Sequence, residues 1–136
     1  MQSANKAIPG TGVHHPGLTV SNYENSMKFY TDGLGFTVFV EFGEAPHKNA
    51  LLDVGNGTYI EIMCNPEAEL LRGSIGHFAL CVPDCEKAFA HALSIGAKPV
   101  HQPRITVMGE TPGVPVKWAY VSGPDGELIE FCQYDL

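Results

Sequence analysis

The chain has 136 residues, 44% of them apolar, and carries 15 acidic against 8 basic side chains for a net charge of -7. That size and composition suit one domain with an ordinary core, and the acidic balance without any basic run argues against nucleic acid or an anionic membrane as partner. No stretch approaches the roughly 20 apolar residues that a spanning helix needs, so a cytoplasmic protein acting on small molecules is expected.

In chain order, "VHHPGLTV" is short and apolar and reads as a strand. Ser21 with Glu24 forms a capping-box pattern that predicts a helix start, and Tyr23, Met27, Tyr30 and Leu34 recur near the helical period until "DGLG" stops them. The segments "FTVFVEF", "NALLDV" and "TYIEIM" then read as strands, with "GNG" as a hairpin signal between the last two. A second strand-and-helix begins at "GHFALCV", where Pro83 and Asp84 open a helix striped by Cys85, Phe89, Ala92 and Leu93 and closed by Gly96.

After a poorly defined piece at "KPVHQ", the prolines and glycines of residues 102–115 predict a loop, whose end "MGETPGVP" reads as a connection or a lid. "VKWAYV" and "ELIEFC" follow as strands around the "GPDG" turn. Trp118 and Tyr120 alternate with Ala119, which predicts an aromatic face packed in the core, and Arg104 and Lys117 read as ordinary surface cations able to hold an acidic group.

The two halves align. One constant offset puts His15 on His77, Leu18 on Leu80, Val20 on Val82 and Glu24 on Glu86. "NGTYIEIM" over "DGELIEFC" pairs Gly57 with Gly126, Ile60 with Ile129 and Glu61 with Glu130. Each half is therefore a β-α-β-β-β module, about residues 13–64 and 75–134, within a single domain spanning 1–136. Each opens with a histidine on a strand and closes with a glutamate inside an apolar strand.

A charge in such a strand is costly unless it faces water, meets a cation or binds a metal. His15, Glu61, His77 and Glu130, at matched positions, predict one divalent site suited to Zn, Ni, Mn, Fe or Co, with further positions for water or substrate. His14 aligns with Gly76 and is expected on the outer face; His47, His91 and His101 have no repeat counterpart and read as surface residues. Cys64, Cys81, Cys85 and Cys132 lack paired metal-knuckle spacing and read as reduced core thiols.

The stretches "HHPGLTVSNYENSMKFYTDGLGF", "YIEIM", "GHFALCV" and "VSGPDGELIEFCQ" resemble the vicinal oxygen chelate superfamily of glyoxalases, bleomycin resistance proteins and extradiol dioxygenases, over about residues 13–133. The resemblance implies an α+β fold of two βαβββ modules forming a curved mixed-sheet cup. It implies a homodimer whose cups are often built from modules of two subunits, and metal ligands at His15, Glu61, His77 and Glu130. That ligand set is most similar to glyoxalase I. Thr19 stands where bacterial glyoxalase I sequences have arginine, and "IMCNPEAEL" lacks their asparagine and tryptophan; both argue against glutathione as the thiol partner.

The implied chemistry is proton transfer between adjacent carbons through an enediolate, with Glu130 as base ahead of Glu61. Two alternatives stay open: an extradiol-type Fe(II) dioxygenase using His15, His77 and Glu130, and a non-catalytic module of the bleomycin-binding kind.

Overall fold

The sequence repeat becomes a repeat of sheets. The computed structural model describes residues 6–9, 12–70, 73–109 and 113–136. Module one contains β1 (Gly17–Val20), α1 (Tyr23–Met27, continued by a π-helical turn over Lys28–Gly33), β2 (Thr37–Phe42), β3 (Asn49–Gly55) and β4 (Thr58–Cys64). Module two contains β5 (Phe78–Cys81), α2 (Cys85–Ser94), β6 (Lys98–Met108), β7 (Val114–Ser122) and β8 (Leu128–Gln133). Each module folds into a four-stranded mixed sheet, ordered β1-β4-β3-β2 and β5-β8-β7-β6, giving the expected α+β architecture.

The register preserves the repeat residue by residue. In the parallel pairs, Gly17 lies beside Glu61 and Ala79 beside Glu130. Alternation then sends Ile60, Ile62, Ile129 and Phe131 into the core beneath the helices, and Glu61 and Glu130 to the opposite face. The core is shared, since Tyr30, Phe36 and Leu52 of module one join Cys85, Phe89 and Val121 of module two in one buried cluster. Among the described residues, no helix is long and apolar enough to cross a membrane.

The turns explain the hairpins. Asn56 and Gly57 both take positive φ, 53° and 74°, which is the twist a two-residue β3–β4 turn requires. Gly126, at φ 78°, plays the matching part before β8. The helices end on Gly35 and Gly96, at φ 80° and 100°.

Several expectations are corrected. Residues 102–108 are strand: β6 runs to Met108, and the expected 102–115 loop shrinks to the link before Val114. Its central residues 110–112, where a lid was expected, lie outside the described residues. The prolines did not prevent the strand because β6 is an edge, where alternate N–H groups face away from the ladder, and Pro103 falls where the register with β7 shifts.

The cap of α1 is Asn22, whose side chain accepts from the Asn25 N–H, whereas Ser21 bonds to Asp125 of module two. Both histidines stand just ahead of their strands, although Tyr59 and Glu61 still donate backbone bonds to His14 and Pro16. Cys81 is exposed, unlike the buried Cys64, Cys85 and Cys132.

Candidate functional site

The strand register delivers two matched acid–imidazole pairs. His15 Nε2 lies 3.4 Å from Glu61 Oε2, and His77 Nε2 lies 2.9 Å from Glu130 Oε2. The glutamate of each pair is the more sheltered member, 25% and 17% exposed against 35% and 43% for the histidines. Each pair sits on the helix-free face of its own sheet. This explains a carboxylate in an apolar strand: it meets a histidine on the face that is not core.

Two ligands at right angles on an ion about 2.1 Å from each lie about 3 Å apart, so both pairs have the spacing of neighbouring metal ligands. Imidazole nitrogen and carboxylate oxygen also suit a hard-to-borderline divalent ion. The chain does not bring the pairs to each other: among the described residues, no three His, Cys, Asp or Glu side chains meet closely enough to hold a metal. One chain thus presents two separate His–Glu pairs, each of them one half-set of the predicted ligands. A cleft of about 700 Å³ runs between the modules past Gly17, Thr19 and His77, and neither Glu61 nor Glu130 lines it.

Further residues complete the two faces. Tyr120, cross-strand from Glu130, donates its hydroxyl to Glu130 Oε2 at 3.1 Å and lies 3.5 Å from His77 Nε2. Burial, then the neighbouring Glu130 charge, raises the Tyr120 phenol above its ordinary range, so it remains a donor. His14 shares a 2.7 Å hydrogen bond with His15 through the two Nδ1 atoms and stacks on Tyr59 at 4.7 Å. The outer-face expectation for His14 is therefore corrected, because residues ahead of β1 do not follow strand alternation.

Tyr120 and Trp118 are corrected too. They lie on the face with Glu130, while Ala119 and Val121 fill the core. The signal was available, since Tyr120 alternates with core-type Ala119 and Val121, but the pairing of β7 with β8 was needed to read it.

The remaining histidines divide. His47 is an exposed residue in the link between β2 and β3. His91, exposed on α2, donates from Nε2 to the Gly33 carbonyl at 2.7 Å and so joins the modules. His101, expected in a loop, lies on β6 with its ring edge-on to Trp118 and Tyr120. Lys117 points to the helix side and pairs with Glu86 at 2.8 Å. Burial pushes the Cys85 and Cys132 thiols up to about 11, so neither is a thiolate at neutral pH.

Comparison with known proteins agrees with the fold. The family described as "Glyoxalase/Bleomycin resistance protein/Dioxygenase superfamily" matches residues 12–131. The uncharacterized protein YwbC of Bacillus subtilis is 28% identical, covering 89% of this chain and 96% of that protein. YaeR of Escherichia coli, also uncharacterized, is 31% identical, covering 77% of this chain and 92% of that protein. A glyoxalase family protein from Enterococcus faecalis superposes with a TM-score of 0.72 at 24% identity over 90% of this chain and 98% of its own. The trypanothione-dependent glyoxalase I of Leishmania major does so at 0.68 and 23%, over 92% and 88%.

Proposed function

Because the chain belongs to the Glyoxalase/Bleomycin resistance protein/Dioxygenase superfamily, we propose that it is a metal-dependent enzyme of the glyoxalase I kind. It binds vicinal oxygens of a small substrate and moves a proton between adjacent carbons. The observation that carries this reading is the duplication of a His–Glu pair at ligand spacing, 3.4 Å in one module and 2.9 Å in the other.

His15, Glu61, His77 and Glu130 would hold one divalent ion, among Zn, Ni, Mn, Fe and Co. When bound, the ion supplies Lewis acidity to the two substrate oxygens, which acidifies the C–H next to them. Glu130 Oε2 is the base that takes that proton, and Glu61 is its counterpart in the other half-set. Tyr120 steadies Glu130 through its hydroxyl, and His14 sets the ring of His15.

Since one chain keeps its half-sets apart, a homodimer completes the reading, with module one of one copy meeting module two of the other. The approach of Glu61 to His15 supports a four-donor set over an Fe(II) dioxygenase that would leave Glu61 aside. Glutathione is not part of the proposal, because Thr19 occupies the first-strand position.

The test uses bound metal and proton exchange. Purified protein should retain a transition metal, and the Zn- or Ni-loaded form should exchange the carbon-bound hydrogens of hydroxyacetone in D2O, followed by NMR. Glu130→Gln should remain folded and slow that exchange by about 100-fold or more. Equal exchange by wild type and variant sinks the assignment of the base, and failure to take up any of the five metals sinks the enzyme reading.

A further inference from the structure

A cation on the same open face as Glu130 points to the other end of the substrate. On β7, Trp118 and Tyr120 are two residues apart and share a face. On β6 their partners are Arg104 and His101, three residues apart, which a regular strand would send to opposite faces. The register shifts between His101 and Arg104, and that bulge turns both side chains to the aromatic side. His101 then packs edge-on to both rings, and Arg104 Cζ lies 4.1 Å over the Trp118 ring.

The platform is fixed and the cation is free. Trp118 Nε1 donates to Thr106 Oγ1 at 3.0 Å, which holds the indole in place beneath Arg104. In a chain of net charge -7, Lys48, Lys87 and Lys117 are each paired with a carboxylate. Arg104 has no carboxylate partner among the described residues and is exposed. A guanidinium stacked by its face keeps its N–H edge open, and that edge matches two oxygens of a carboxylate. Strand spacing puts β6 two strands, about 10 Å, from β8, with Tyr120 and Trp118 forming an aromatic wall between.

We infer that Arg104, seated on Trp118 by the bulge in β6, binds the carboxylate at the far end of a substrate whose vicinal oxygens lie at Glu130. The inference rests on the proposed metal site for the near end. It narrows the substrate class to short acids with two adjacent oxygens at one end and a carboxylate at the other.

The experiment compares 2-oxoadipate with 2-oxohexanoate, which share head and chain length and differ in the tail carboxylate. Affinities are measured by calorimetry on Zn-loaded full-length protein, with the fluorescence of Trp118, the sole tryptophan, as a second readout. Wild type should favour 2-oxoadipate by roughly tenfold or more. Arg104→Gln should erase that preference while leaving 2-oxohexanoate unchanged, and Arg104→Lys should retain part of it.

A preference that survives in Arg104→Gln, or no binding of 2-oxoadipate at millimolar concentration, overturns the inference. Stripping the metal with EDTA separates the two claims. If both affinities are indifferent to EDTA, the metal reading falls, while the ratio between the probes and its dependence on Arg104 still decides the tail site.

Discussion

Glu127 and Glu130 stand three residues apart and have opposite fates. Glu130 faces the open side of β8 beside His77, whereas Glu127 turns back into the junction between modules and accepts the Tyr30 hydroxyl at 2.6 Å. Burial raises the Glu127 carboxyl above its ordinary range, with the Tyr30 hydrogen bond and backbone donors opposing. A raised folded-state pKa means that the folded protein holds the proton more tightly than the unfolded chain does. The stability this group contributes is therefore full below the ordinary glutamate range and is lost as pH rises through the raised value.

Glu127→Gln should remove that loss. The difference in melting temperature, variant minus wild type, is expected to grow between about pH 4 and pH 8, and a difference that stays flat would show that burial of this carboxyl costs nothing. Tyr30→Phe acts the other way, leaving the buried carboxylate with its backbone donors but without the hydroxyl. It should cost about 1–3 kcal/mol in chemical denaturation at neutral pH. Neither role was visible in the sequence, where Tyr30 read as one more apolar helix position and Glu127 as the first residue of the strand "ELIEFC". Their contact spans 97 positions.

At the scale of elements, what was local was legible and what was relational was not. The β3–β4 hairpin could be read from "GNG", and the strand before it from apolar content, because turn chemistry and alternation are properties of a few consecutive residues. The start of α1 was misread by one residue because Ser21, a good cap in isolation, is engaged by Asp125 of the other module. Strand β6 was missed because prolines weigh against a strand unless it is known to be an edge, and edge status belongs to the sheet.

The glycine turns permit a clean check on the part that was legible. Gly57 and Gly126 have φ of 74° and 78°, and a Cβ at either would meet nothing within 4 Å. Alanine there should therefore pay only the backbone cost of the left-handed region, about 1 kcal/mol each. The two effects should add in the double variant, because the turns belong to different sheets. A loss of several kcal/mol at either site, measured by urea unfolding, would mean that the turn does more than close its hairpin.

For the whole molecule, the repeat foretold two matched His–Glu pairs but not how the pairs stand to each other. Matched sequence positions fix matched sheet positions, which is why His15–Glu61 and His77–Glu130 fall into equivalent pairs. How two sheets are set against each other depends on the junction, and here the modules are joined by Ser21–Asp125, Tyr30–Glu127 and His91–Gly33, on the side away from the donors. The edge strands β2 and β6 meanwhile leave large apolar side chains in water, among them Phe39, Ile105 and Val107 at 64%, 58% and 61% exposure. In the homodimer proposed above, the second copy brings a complementary half-set to each pair.

This arrangement predicts complementation. On the proposed function, His15→Ala should inactivate every site through module one, and Glu130→Gln every site through module two. If each site joins modules of different chains, a mixed dimer of the two variants has one site with both lesions and one with none. Equal amounts unfolded together and refolded should then recover roughly a quarter of wild-type proton exchange, since half the dimers are mixed and each has one intact site of two. Were each site built within one chain, every site in every dimer would keep one lesion, and mixing would restore nothing.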